Sequence, residues 1–466
     1  MHGYSTTRDI LARAFSNRRL RRAAAAAATA AVASLGFGAC APSEFLEVTD
    51  PDIINPSDVA SPAGANAIRL GAIARLNSAT TGGESLLLLG GLFADEWNNG
   101  DSFIARQEID QRTITPQNNF LTDANRALHR ARLAASQAAQ LLKQYNPTAP
   151  GWQSAEMYFV QAYAENLAAE HYCSGLIFSS VADGAEVFGK PLTTAEAFAQ
   201  ALAHADSGLA LVTGSTADDV RVRNALRVTR GRILLNTNRP ADAATAVNGV
   251  ATNFQYLMYH SLVTNVNQYW NFNNLAGRYS VSTSEGTNGM NFATANDPRV
   301  PVCVGGDATC RTINVTKATR DDLTSPYYVQ RLWTTQESSV AIASGAEARL
   351  IEAEAQLRAG NPNGALATLN TLRGSYSLGP LSDAGTEAAR VDQLFRERAF
   401  TLFGRGTRTG DLRRLIRQYS RAANSVFPTG AWHKGGNYGV DVTLPMPLAE
   451  QNNPNAGAGV CIDRNA

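Results

Sequence analysis

Two stretches decide the fold: Leu226–Val247, LRVTRGRILLNTNRPADAATAV, and Glu347–Leu369, EARLIEAEAQLRAGNPNGALATL. Set on Pro240 and Pro362, they match Val228 to Leu350, Leu235 to Leu357, Ala243 to Ala365 and Val247 to Leu369. Each reads as a helix, a turn holding Asn and Pro, and a second helix, with small residues where two helices would touch. Working outward, helix signals dominate 65–144, 153–172 and 195–212, and Asp123–Leu142 is rich in the strong helix formers Ala, Leu, Arg and Gln. Farther on, Val391, Leu394, Phe395, Leu402 and Phe403 make one apolar stripe of a helix over about 387–403. Strand-like alternation is rare through 120–250 and 340–420, so the body is expected to be all-α.

The matched hairpins are tetratricopeptide-like, but they stand 122 residues apart and so form no tandem solenoid. Between them, over 252–340, Asn, Tyr, Trp, Gly and Thr replace Ala and Leu, as in Asn267-Gln-Tyr-Trp-Asn-Phe-Asn-Asn274. A loop-rich excursion of that length in a helical frame points to binding, and it is expected to share one face with the loops of 80–118. Residues 40–64, rich in Pro, Asp, Ser and Asn, read as an extended tether, and 425–466 as an irregular tail.

At the N-terminus, Arg18, Arg19, Arg21 and Arg22 precede an Ala-rich apolar run from Ala23 to Ala39, which reads as an export signal over 1–39. Gly38 and Ala39 stand directly before Cys40, which resembles the cleavage and acylation box of bacterial lipoproteins. Without Cys40, four cysteines remain, and an exported chain permits them to pair. Cys303 and Cys310 flank Gly305-Gly306 and read as a loop clasp, which would leave Cys173 with Cys461 to tie the tail to the helical body. No Cys-x-x-Cys or neighbouring His favours zinc instead.

The chain has 466 residues, 44% hydrophobic and 17% charged, enough for a sizeable core. Its net charge of +1 falls to −4 beyond residue 39, where 35 basic face 39 acidic side chains. A faintly acidic body lacks the basic surface that nucleic-acid binding needs. The six His are scattered, and no His-Glu-x-x-His, Gly-x-Ser-x-Gly or phosphate-cradling loop occurs. Asp95–Asp101 fails as a calcium loop, because Arg106 stands where the bidentate carboxylate belongs. Glu352 and Glu354 lie two apart on a helix and point away from each other, so they make no glycosidase pair. Arg398, Arg408, Asp411 and Arg413 read as an ion-pair network fixing the last helices. No enzyme, cofactor or metal is therefore expected.

Several elements, taken in order from about 40 to 456, resemble the SusD/RagB family of outer-membrane, nutrient-binding lipoproteins. They are Phe45-Leu46-Glu47-Val48 after Cys40, Asn125-Arg126-Ala127, Asp297-Pro298-Arg299, and Arg349-Leu350-Ile351-Glu352-Ala353-Glu354-Ala355. Glu397-Arg398 with Gly406-x-Arg408-x-Gly410-Asp411-Leu412-Arg413-Arg414 follows, and Leu444-Pro445-Met446-Pro447, Glu450 and Asn453-Pro454-Asn455 close the series. The resemblance implies a lipid anchor at Cys40, an outer-membrane location facing the cell surface, and oligosaccharide uptake with a TonB-dependent β-barrel transporter as partner.

Aromatic faces stack on sugar rings while Asn and Asp beside them bind hydroxyls. Trp97 with Asn99 and Asp101, and Tyr269 and Trp270 with Asn274, fit that chemistry and are the expected ligand site. The competing reading packs these tryptophans under the loops as core. A second functional class, a tetratricopeptide-like envelope scaffold binding peptides or proteins, would follow if 252–340 left no exposed aromatic platform.

Overall fold

The two matched segments form the expected hairpins. The structure is a computed structural model, and it describes residues 59–182, 185–457, 459–461 and 464–466. The export signal expected over 1–39, the expected lipidation site Cys40, Phe45–Val48 and the expected tether as far as residue 58 lie outside the described residues. Pro62–Thr81 (α1) already starts inside the expected tether. Ser61 accepts from Gly64 N at 3.0 Å and Pro62 occupies the first turn, a Ser-Pro start that overrides the polar composition around it.

Leu86–Ala94 (α2), Ile104–Gln111 (α3), Asn119–Tyr145 (α4), Gly151–His171 (α5) and Thr194–Leu211 (α6) complete the first half, with α1 on α4, α4 on α5 and α5 on α6. Along α4 the buried positions Leu121, Ala124, Leu128, Ala131, Ala135, Ala138 and Leu142 recur every three or four residues and place one face in the core. Ala217–Asn236 (α7) and Pro240–Val247 (α8) are the first matched hairpin, and Gly345–Arg358 (α9) and Pro362–Gly374 (α10) the second. Thr216 and Asp219 close a capping box on α7, and Asn361 caps α10 by accepting from Gly364 N at 2.9 Å. Left-handed backbone at Asn238 and at Gly360 turns each chain toward its proline.

Although distant in sequence, the hairpins pack on each other. A Cβ on Gly231 would stand 2.6 Å from Val247 Cγ1 and 3.2 Å from Ile351 Cδ1, so the three helices meet where α7 has no side chain. Gly231→Ala gains about 1 kcal/mol of helix propensity and loses about 1–3 kcal/mol to overpacking. A net loss of about 1 kcal/mol is expected in urea unfolding, and a more stable variant would contradict the close contact.

Glu387–Thr401 (α11) and Arg408–Tyr419 (α12) finish the frame. They are held by buried ion pairs. Arg398 grips Asp411 at 2.8 and 2.9 Å, Arg414 donates to Asp411 at 2.8 Å and to Glu354 at 3.0 Å, and Arg408 grips Asp95 at 2.6 and 2.7 Å. Arg413 caps the carbonyl end of α5 through Ala169 O and Glu170 O. The ion-pair reading thus holds for Arg398, Arg408 and Asp411, whereas Arg413 donates to backbone carbonyls. Glu354 is buried in the network, whereas Glu352, on the other side of α9, is half-buried and pairs with Arg349 at 2.7 Å.

Strands among the described residues form only five two-stranded ribbons, none of them a layer, and the fold is all-α with tetratricopeptide-like pairs. The excursion leaves the frame through Gln255–Met258 (β6) and returns through Val340–Ser344 (β10), which pair antiparallel. Its far end meets the N-terminal loops where Trp97–Asn99 (β1) pairs with Tyr279–Val281 (β7), so loops 80–118 and 252–340 do come together. Much of it is core: Tyr256, Met258, Tyr269, Phe272, Phe292 and Trp333 are buried in the main apolar cluster. Cys303 and Cys310 are bonded and, with Val315, Tyr327 and Val329, form a small satellite core. Cys173, just past α5, is bonded to Cys461. Both pairings are those expected.

Candidate functional site

The aromatic platform expected at Trp97 and Tyr269 is not open to solvent. Trp97 is 0% exposed, with its ring 4.8 Å from Phe403, 6.0 Å from Tyr269 and 6.3 Å from Tyr279. Beside it, desolvation pushes the Glu96 carboxyl up to about 8, and one of its oxygens accepts from Gly404 N at 2.9 Å. Asn99 accepts from Asp101 N at 2.8 Å, and its carbonyl meets His433 Nε2 at 2.9 Å. Buried Asp101 accepts from Phe103 N at 2.9 Å and pairs with Arg106.

Tyr269 Oη donates to Gly404 O at 2.6 Å, and its ring lies 4.5 Å from Trp333. Asn274 donates to Gln330 O at 3.3 Å and accepts from Gln330 Nε2 at 2.6 Å. Of the six residues only Trp270 is half-buried, at the start of the π-helix Trp270–Leu275. Exposure is therefore corrected for the other five. The β1–β7 ribbon draws both segments inward, and their amides and carboxylates satisfy backbone and cationic groups that burial would otherwise orphan. The ring of Phe103 does reach solvent, at 50% exposure, with the Arg278 guanidinium 5.5 Å from it.

A concave site lies next to this face. It is a cleft of about 400 Å³ between the N-terminal half of α4, the hairpin of Ser180–Ala182 (β3) with Ala185–Val187 (β4), and the tail around 447–453. One wall is α4, presenting Asn125, Arg126, His129 and Arg130 at helical spacing. Asn125 donates to Glu450 at 2.9 Å across 325 residues of chain. Arg132 crosses beneath to Ser179 O, lies 5.2 Å from the Phe178 ring and 3.9 Å from Glu165.

The tail wall is fastened at several points. Cys173 N donates to Leu444 O at 2.9 Å, the Cys173–Cys461 bond closes the far end, and Asn455 donates to Phe188 O at 2.7 Å. Desolvation and the nearby Arg132 push the His129 imidazole down to about 3, so it is neutral at physiological pH. Desolvation also raises the Glu450 carboxyl.

The cleft thus offers fixed amide, guanidinium and hydroxyl groups around a half-open space, with the partly exposed ring of Phe188 in its lining. That arrangement suits a hydroxyl-rich ligand that makes several hydrogen bonds and one ring contact. It unites three elements singled out in the sequence, Asn125-Arg126, Glu450 and Asn453. It adds Ser179, Phe188 and Arg130, for which the sequence carried no signal.

Residues 345–453 match the family model described as the SusD family. No curated protein matches the chain. Among solved structures, a SusD superfamily protein from Parabacteroides distasonis shares 14% identity at a TM-score of 0.62, covering 84% of this chain and 98% of that one. A SusD/RagB family protein from Bacteroides thetaiotaomicron shares 14% at 0.61, covering 86% and 97%. A SusD-like carbohydrate binding protein from Bacteroides vulgatus shares 14% at 0.54, covering 76% and 83%. The SusD/RagB resemblance read from the sequence stands, in sequence over 345–453 and in fold over most of the chain.

Proposed function

We propose that this chain is a lipid-anchored outer-membrane protein that captures oligosaccharides and passes them to a TonB-dependent β-barrel transporter. The observation that carries the reading is the cleft at α4, where the SusD-like elements Asn125, Glu450 and Asn453 converge on a polar, ring-bearing concavity. The carbohydrate-binding description of one similar structure supports it. Acylation of Cys40 would add several buried chains at about 0.8 kcal/mol per methylene, enough for permanent attachment at the cell surface. Capture at the cleft followed by release into a barrel requires no chemistry from the chain, in keeping with a binding protein rather than an enzyme.

The decisive experiment is a glycan and peptide array probed with the mature protein. Selective glycan binding lost on Asn125→Ala supports the reading, and a glycan-blank array defeats it. Mass spectrometry of the mature N-terminus tests the anchor, which fails if residue 40 is unmodified. Recovery of a barrel protein in mild-detergent pulldowns tests the partner.

One observation favours the second reading, an envelope scaffold. Residues 243–277 contain no Asp, Glu, Lys or Arg, and within them a turn presents Tyr259 at 71% and Val263 at 91% exposure. A charge-free apolar tip is the composition of a protein-contact core. Peptides rather than glycans on the array, lost on Val263→Asp, would select that reading.

A further inference from the structure

We propose that the cleft selects anionic oligosaccharides, those bearing carboxylate or sulfate groups, and holds them by Arg126 and Arg130. This rests on the reading of the cleft as the glycan site and adds the class of glycan. Arg126 and Arg130 stand one helical turn apart on α4, both exposed and both lining the same concavity. Like charges at that spacing weaken a helix by a few tenths of a kcal/mol, so helix stability does not explain them.

Arg126 is paired with Asp123 at 3.1 Å, but both side chains are more than half exposed. A pair of that kind contributes at most about 1 kcal/mol and exchanges readily for a ligand anion. Arg130 makes no ion pair with any other described residue. Beneath them Arg132 is buried and fixed by Ser179 O and the Phe178 ring, with the Glu165 carboxylate 3.9 Å away.

The acids facing these groups are Glu186 on β4, Glu450 on the tail and Glu165 on α5. Glu450 is engaged by Asn125, and Glu165 by Gln200 and His204 at 2.7 Å each. Glu186, exposed at the hairpin, is the acid least tied down. The lining thus sets Arg126, Arg130 and Arg132 against Glu186 and Glu450, on a chain whose net charge beyond residue 39 is −4. Planar guanidinium groups give a carboxylate or sulfate two parallel hydrogen bonds, whereas a neutral hydroxyl takes one.

Calorimetric titration of the detergent-solubilised full chain tests this with three probes of equal length: oligogalacturonate, a chondroitin sulfate oligosaccharide and a maltooligosaccharide. At least one anionic probe is expected to bind tenfold or more tightly than the neutral one, and the better of the two identifies carboxylate or sulfate as the group recognised. Arg126→Gln/Arg130→Gln is expected to remove that advantage without shifting thermal unfolding. Neutral binding equal to or tighter than anionic, or an anionic advantage that survives the double variant, overturns the inference and leaves glycan capture standing. Binding of none of the three, with an array blank for glycans, overturns both.

Discussion

Arg408→Leu is expected to lower the unfolding free energy by about 3–5 kcal/mol, read as a shift in the urea midpoint. Arg408 is buried at the first turn of α12, and its two contacts at 2.6 and 2.7 Å both fall on Asp95 at the end of α2. Among the described residues the only other hydrogen bond to that carboxylate comes from Met290 N at 2.9 Å, which cannot neutralise it. Removing the guanidinium therefore strands a charge with 1% exposure, and the desolvation that the pair had offset returns in full. Asp95→Asn in the same chain should recover part of the loss, because an amide oxygen still serves Met290 N without bearing charge. A single variant as stable as the parent would overturn the view that Arg408 offsets the burial of Asp95.

That pair also marks how far the sequence could be read. Arg408 and Asp411 were legible as structural because charged residues packed closely among helical apolar positions have few roles besides pairing. The hairpins were legible because Pro240 and Pro362 fix the turns, and the periodicity on either side is local. The cysteine pairs followed from elimination once Gly305-Gly306 claimed Cys303 and Cys310.

What remained hidden was non-local. The β1–β7 ribbon is three residues long on each strand, and no period in either segment announces it. An Asn that will bind a sugar and an Asn that will satisfy a buried carbonyl leave the same mark in composition. The cleft shows the same limit: Asn125 and Glu450 could be singled out through their likeness to a family. Ser179 and Phe188, which complete the site, sit in a hairpin with no distinguishing pattern.

Trp97 separates the two readings of those Asn-rich loops, and Trp97→Ala is expected to cost about 3–5 kcal/mol of stability. The indole is wholly buried among Phe403, Tyr269 and Tyr279, so truncation opens a cavity where the excursion, α2 and the segment after α11 converge. Gly91 is close against it, since a Cβ there would lie 2.8 Å from the indole Cδ1, and the backbone has little room to collapse inward. Trp97→Phe should be far milder. Its ring keeps most of the contacts, and it deletes an indole N–H that is buried without a hydrogen-bond partner. Thermal unfolding of both variants beside their glycan affinity gives the answer. A core tryptophan predicts a large drop in melting temperature for Ala, a small one for Phe, and unchanged affinity for the folded Phe variant. Were Trp97→Phe to keep its melting temperature and lose the ligand, the indole would have to reach the sugar in a conformation with the β1–β7 ribbon opened, and the site would move from the α4 cleft to the loop face.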